Sequence, residues 1–296
     1  RHMQDSFNVL KERIRLVYRG VDLSRYDFQE EKVGRPKDKF IIVNISRVTP
    51  IKGQREFVKA IYAVAKKMPD IEAWLVGSAD EKKKAYEVNL HELVKELGLE
   101  DKVKFLGRRR DIPQILGESD LLVLSTLVPE AFGRVLIEAG ASGVPVCASR
   151  IGGITEIIED KKDGLLFEAG DSESMAQAII SMAGDAQLRQ RCRISLRQKV
   201  QEKFTLQQMS DQTLEVYREA AGKKKILVIK LGGAGDLILA IPSLKMLRRQ
   251  FPQARISLLT DSGLGPLVEN CPYVDNLVLF DRKKDSWGKQ EMLRRP

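Results

Sequence analysis

Short apolar runs alternate with amphipathic stretches through most of this chain, and that alternation constrains its architecture more than any other feature. Residues 40–45, Phe-Ile-Ile-Val-Asn-Ile, have strand length and almost no polar interruption, and residues 53–67 then set Phe57, Ile61 and Val64 on one side of a helix. The same signals recur downstream. Strands are expected at 73–76, 103–105, 120–124, 145–148 and 165–167, helices at 86–97 and 133–141, and a turn with a short helix at 152–158. Apolar strands of this kind are buried on both faces, and strands separated by helices lie parallel. The expected fold is therefore α/β, a Rossmann-like parallel sheet with helices on both faces. In such sheets ligands bind outside the carboxyl ends of the strands. Arg47, Gly77, Gly107, residues 126–130 and residues 150–153 all follow strands and belong to that edge.

Helical signals then take over at 172–182, 186–204 and 206–221. After Gly222 the pattern restarts, with a strand at 225–230, a glycine turn, a helix to Gln250 and strands at 256–259 and 277–280. Three strands are too few for a complete doubly wound domain, so this is a partial βαβ unit. The expected division is a domain over 4–222 and a partial one over 223–296. Charge shifts at the same place: of a net +9, the stretch from Lys223 on holds 14 Lys+Arg against 7 Asp+Glu. A basic segment is either a solvated surface or one attracted to an anionic membrane face or glycolipid. No nucleic-acid partner is expected.

A chain that is 43% hydrophobic and 296 residues long needs no disulfide staples, and Cys147, Cys192 and Cys271 lack metal-ligand spacing. The expected setting is reducing and cytoplasmic, with peripheral placement at the inner membrane face as a variant. No apolar run approaches the roughly 20 residues that span a bilayer. No signal peptide is recognisable, and Arg1-His2-Met3 reads as an expression-vector remnant.

Chemistry concentrates in four side chains. Glu130 and Glu138 follow a strand with seven residues between them, which puts one carboxylate in a turn and the other inside the next helix. Between them, the N–H groups of Phe132 and Gly133 open that helix, a terminus suited to phosphate. Carboxylates suit sugar hydroxyls. Arg47 ends a strand and Lys52 opens a helix at Gly53, so the two cations could clamp a diphosphate and neutralise it as a leaving group. The bland alternatives are surface cations and a helix-start acid at Glu130 complementing the dipole. Glu138 is harder to dismiss, because Val135, Leu136, Ile137 and Ala139 surround it and a carboxylate there wants a partner such as paired ribose hydroxyls. Gly152-Gly153 gives either a tight turn or close approach to a ligand. His91, mid-helix among charges, suggests no metal or acid–base role, and Trp74 reads as core.

Residues 17–221 resemble the C-terminal, nucleotide-sugar-binding domain of family 4 glycosyltransferases, retaining enzymes of the GT-B fold. The matching residues are Arg47, Lys52-Gly53, Glu130 and Glu138 with Phe132-Gly133, Gly143-Val-Pro-Val146, Gly152-Gly153 with Glu156, and Asp163-Gly164. Tyr18-Arg-Gly-Val-Asp22 is similar to the family's hinge, with Arg19 where asparagine is usual. The resemblance implies that Arg47, Lys52 and Gly53 bind the donor diphosphate. It puts Glu130 on donor-sugar hydroxyls, Glu138 on the ribose, the Phe132 and Gly133 amides on phosphate, Gly152-Gly153 against the ligand, and Arg108 near the base. It implies no metal and no cofactor beyond the nucleotide sugar itself. It also implies front-face attack, with the departing phosphate taking the acceptor's proton.

The second segment resembles the start of family 9, heptosyltransferase-like inverting enzymes, through Ile226-Leu-Val-Ile-Lys-Leu-Gly-Gly-Ala-Gly-Asp236, Ile241-Pro242 and Asn270-Cys-Pro-Tyr-Val-Asp275. There Asp236 stands where the family has a candidate general base, with helix capping as its alternative. A dinucleotide fingerprint fails because Ile238 replaces the third glycine. Together the resemblances imply a donor-binding excerpt of a bifunctional glycosyltransferase in surface-polysaccharide or lipopolysaccharide synthesis, lacking its acceptor-binding domain. Two other classes remain open: a non-catalytic nucleotide-sugar-binding or scaffolding module, and a GT-B-type epimerase or phosphorylase. The last is disfavoured by the scarcity of histidine and the lack of a marked cofactor lysine.

Overall fold

In the computed structural model, which describes residues 10, 14–26, 28, 39–221 and 225–281, the apolar runs become parallel strands. β1 (Phe40–Ile45) lies between β2 (Ile71–Val76) and β4 (Leu121–Leu124). β3 (Val103–Gly107) extends the sheet beyond β2, and β5 (Val146–Ser149) and β6 (Leu165–Phe167) extend it beyond β4. The order β3-β2-β1-β4-β5-β6 means that the chain works outward from β1 in one direction, then recrosses it and works outward in the other. The reversal opens a crevice at the carboxyl ends of β1 and β4, the place where such sheets bind ligands.

Both faces of the sheet are covered, which is why the strands carry no polar alternation. Leu121 and Val123 of β4 pack with Phe57 and Ile61 of α1 (Gln54–Lys67), while Leu122 and Leu124 pack on the other side. α2 (Lys84–Glu96) shares the first face. α3 (Ile112–Glu118), α4 (Arg134–Ser142) and α5 (Ile154–Ile157) take the second. α6 (Ser172–Gly184) returns to the first, and α7 (Ala186–Lys203) sends Cys192 to one core and Leu196 and Val200 to the other. Each fully buried Phe or Ile here is worth about 1.5–3 kcal/mol of apolar transfer.

Helix α3 has no counterpart in the sequence reading. It has only seven residues, with Pro113 in its first turn and Gly117 near its end. Asp120, expected inside a strand, instead accepts a hydrogen bond from the Ile41 N–H at 2.8 Å and pins the start of β4 to β1.

The chain divides into two compact units, Tyr18–Met209 and a second that joins the residues up to Val17 to those from Ser210 on. Within the second unit, Tyr217 of α8 (Leu206–Ala221) packs with Ile226, Leu247 and Ile256. There β7 (Lys225–Lys230), α9 (Ala234–Gln250), β8 (Arg255–Asp261) and β9 (Asn276–Phe280) form a parallel sheet in simple order β7-β8-β9. The sheet has no reversal of order among the described residues. Gly222, Arg1-His2-Met3 and the basic residues after Asp281 lie outside the described residues. No described helix is long and apolar enough to cross a membrane.

Candidate functional site

The carboxyl end of β1 is riveted to that of β4 by buried polar side chains. Asn44 donates to the Val123 carbonyl at 3.0 Å and to Ser125 Oγ at 2.9 Å, and Ser46 Oγ donates to Asn44 Oδ1 at 3.0 Å. Gln54 Nε2 donates in turn to Ser46 Oγ at 2.9 Å and to the Arg47 carbonyl at 2.8 Å. Ser125 Oγ donates to the Lys52 carbonyl at 2.9 Å, and the Leu127 N–H to the Ile51 carbonyl at 2.9 Å. Gly53 completes the seat. Its φ is 66°, and a Cβ there would fall 2.0 Å from the Ser125 carbonyl oxygen, so no other residue fits without displacing β4. The loop carrying Arg47 and Lys52 is thus fixed to the strand across the crevice.

Lys52 and Glu130 meet there, Nζ to Oε1 at 2.8 Å, with side chains only 15% and 24% exposed. The other carboxylate oxygen, Oε2, is buried and has no hydrogen-bond partner. A buried acceptor left unsatisfied costs on the order of 1–3 kcal/mol. Glu130 therefore does not serve as a helix-start acid: α4 begins four residues later, and its charge is met by Lys52. Its backbone rests on Gly152-Gly153. The Gly153 N–H donates to the Glu130 carbonyl at 2.8 Å, and a Cβ on Gly152 would lie 2.8 Å from both the Glu130 nitrogen and oxygen. The glycine pair is required by protein backbone, as a tight turn supporting Glu130.

Gly133 takes a left-handed conformation to cap α4, and no acceptor among the described residues receives the Phe132 or Gly133 N–H. These donors remain available to an anion. Arg47 is exposed just past β1, where its carbonyl accepts from Gln54, and Arg108 is exposed just past β3, separated from β1 by β2.

Glu138 has partners within the protein. Arg134 Nε contacts its Oε1 at 2.9 Å, and the Tyr26 hydroxyl hydrogen-bonds to it. Burial pushes the Glu138 carboxyl above its ordinary range, a shift that Arg134 and Tyr26 only partly oppose. Burial and the carboxylate's charge push the Tyr26 phenol up to about 12. Asp236 departs from its capping alternative: Gly233 is the N-cap of α9, and Asp236 sits in the first turn with its carboxylate folded over Gly232.

Sequence reasoning missed the support. Asn44, a polar residue inside an otherwise apolar strand, was the available signal, and Gln54 directly follows Lys52-Gly53. The sequence resemblance places Tyr18 only in the hinge. It donates to Glu156 at 2.9 Å and packs, 5.9 Å between ring centroids, on Phe132.

The doubly wound parallel sheet, flanked by helices and carrying the Lys52–Glu130 pair at its switch point, matches the GT-B architecture. The chain belongs to the glycosyl transferases group 1 family, whose pattern matches residues 26–199. It is 31% identical over 215 residues to N-acetyl-alpha-D-glucosaminyl L-malate synthase of Bacillus anthracis, covering 73% of this chain and 53% of that protein. It is 31% identical over 160 residues to the lipopolysaccharide core biosynthesis glycosyltransferase LpsE of Rhizobium meliloti, 54% of this chain and 44% of that one. Among solved structures, Anabaena HepE in complex with UDP is similar with a TM-score of 0.67 and 30% identity, over 73% of this chain and 60% of HepE. The chain thus spans about half the length of the curated relatives it matches. The family 4 resemblance agrees with this membership. No comparison supports the family 9 resemblance of the second unit.

Proposed function

We propose that the unit Tyr18–Met209 is the donor half of a glycosyltransferase. It would take a sugar from a nucleoside diphosphate sugar and pass it, with retention, to a glycan or glycolipid acceptor. The observation that carries this reading is the Lys52–Glu130 pair with its unpartnered Oε2 at the β1/β4 switch point. Arg47, Lys52 and the amides of Phe132 and Gly133 suit a diphosphate. A sugar hydroxyl donating to Glu130 Oε2 would satisfy the buried acceptor, Glu138 suits ribose hydroxyls, and Arg108 would approach the base. As the glycosidic bond breaks, the cations and amides stabilise the charge growing on the diphosphate without a metal. The departing phosphate takes the acceptor's proton, and no protein nucleophile is needed. UDP in the HepE complex and the naming of LpsE support a nucleotide donor and a surface-glycan pathway.

In this reading the partner is a facing acceptor-binding domain. The chain alone binds donor but transfers poorly, because transfer needs both reactants held in line. On sequence resemblance alone, residues 223–296 are proposed as part of a second, heptosyltransferase-like domain with Asp236 as its base. Its basic charge would favour the cytoplasmic face of an anionic membrane.

Calorimetric titration of the chain with ADP, GDP, UDP and their glucose conjugates tests the site. Lys52→Ala should cost about 2–4 kcal/mol of diphosphate affinity. Glu138→Ala should weaken ribose-bearing ligands and leave inorganic pyrophosphate almost untouched. Equal affinities for wild type and both variants would sink the reading and favour a scaffolding module.

A further inference from the structure

The Lys52–Glu130 pair does more than mark the site. The Glu130 carboxylate lies 2.8 Å from the Lys52 ammonium. Any phosphate that reaches Lys52 must share that ammonium with Glu130. Two ligands of the site differ sharply in how they meet this carboxylate. A nucleoside diphosphate sugar has its terminal phosphate esterified, so it carries one charge less there, and its sugar brings hydroxyl donors. A carboxylate is an acceptor only, and Oε2 is a buried acceptor with nothing donating to it. A spent nucleoside diphosphate brings a fully charged terminal phosphate and no hydroxyl at that position.

We propose that Glu130 acts as a fixed counter-anion that lets the site tell sugar-bearing donor from spent diphosphate, weakening the latter and so clearing the site after transfer. This rests on the reading of the crevice as a donor site. The attraction between Glu130 and a sugar hydroxyl is gained only with the donor, whereas repulsion between Glu130 and a terminal phosphate is felt most with the product. Specificity of this kind needs both an attractive and a repulsive element, and one carboxylate supplies both. Its placement is rigid enough for the task, because Gly152-Gly153 holds the Glu130 backbone and the Asn44–Gln54–Ser125 network holds the Lys52 loop.

The test is titration of the full chain, wild type, Glu130→Gln and Glu130→Ala, with inorganic pyrophosphate and with nucleoside diphosphates and their glucose conjugates. Pyrophosphate depends on neither base nor sugar. Glu130→Gln removes the charge and keeps the shape. It should bind pyrophosphate and nucleoside diphosphate more tightly by about tenfold, equivalent to about 1.4 kcal/mol. The same variant should bind the sugar conjugate no better than wild type, so the donor-to-product affinity ratio falls. Glu130→Ala should tighten pyrophosphate in the same sense. If wild type binds these ligands and both variants bind pyrophosphate equally or more weakly, Glu130 is not a counter-anion and the proposal is overturned. If wild type binds none of them, the donor-site reading itself fails and takes this proposal with it.

Discussion

Two turns in this molecule carry a strand into a helix through glycine, in different surroundings. In each, a strand ends, glycine turns the chain and a helix begins: β1 into α1 through Gly53, and β7 into α9 through Gly232 and Gly233. The first turn is pressed onto the neighbouring strand so closely that Gly53 leaves no room for a methyl group. The second is open at Gly233 and Gly235, with no atom within 4 Å of a Cβ built there, and at Gly232 a Cβ would meet the side chain of Asp236, not the backbone of a neighbouring strand. Among the described residues, the buried polar side chains gather in the first unit, and Thr260 is the one such residue in the second. A strand–glycine–helix turn supplies free amides wherever it occurs. The Lys52–Glu130 pair, from distant segments and 2.8 Å apart, lies where the strand order reverses, and among the described residues the second sheet has no such reversal.

The comparison can be broken hardest at Asp163. This carboxylate, 1% exposed, pairs with Lys199 and accepts from Ser195 Oγ at 2.7 Å and the Glu159 N–H at 3.1 Å. Lys199 also donates to the Ile157 carbonyl at 2.9 Å, so the cluster anchors the short helix that follows Gly152-Gly153. Asp163→Asn should cost the first unit about 3–5 kcal/mol, as removing one partner of a buried pair does. The pH sign follows from the shift. Burial pushes the Asp163 carboxyl up, but the bonds from Lys199, Ser195 and Glu159 outweigh it and hold the group below its ordinary range. Its stabilisation is therefore present above the ordinary carboxylate range and is lost as pH falls below it. Stability of the variant should be flatter in acid, measured by urea unfolding from pH 7 down to about pH 3, below the ordinary Asp value.

Gly53→Ala should follow, with a loss of about 2–4 kcal/mol from left-handed strain and overpacking combined. Native-state hydrogen exchange at β1 and β4 amides would read it locally. A smaller loss comes from Gln54→Leu, about 1–3 kcal/mol, because the Arg47 carbonyl and Ser46 hydroxyl lose their buried donor. That variant would make the first turn resemble the second, and pyrophosphate affinity should fall with it. Unchanged affinity would show that Lys52 holds its place without the network.

Most of the first sheet was legible because its central strands are buried on both faces and read as largely apolar runs. The exceptions have local causes: α3 is too short for periodicity, and Asp120 looks like a strand residue until its carboxylate is seen bonding to Ile41. Of the candidate site, the charged residues stood out by type and by their positions after strands. What no spacing could convey was pairing across sequence distance. Lys52 meets Glu130 seventy-eight positions away, Glu138 takes Tyr26 as a partner from the hinge side, and Gly152 is glycine on account of Glu130. Those contacts follow from strand order, and strand order is set by the whole sheet.

The smallest effect is the most discriminating, because the comparison requires its sign to reverse. Gly235 lies in the first turn of α9, outside the left-handed region, with open space where a Cβ would go. Alanine there restricts the unfolded chain and favours the helix, and nothing in the folded unit opposes it. Gly235→Ala should therefore stabilise the second unit by about 0.4–1 kcal/mol, seen as roughly two- to fivefold slower exchange at β7 and α9 amides. The same glycine-to-alanine change thus destabilises one turn and stabilises the other. If Gly235→Ala instead speeds exchange, the second turn is as constrained as the first, and the contrast between a seated and an open glycine turn collapses.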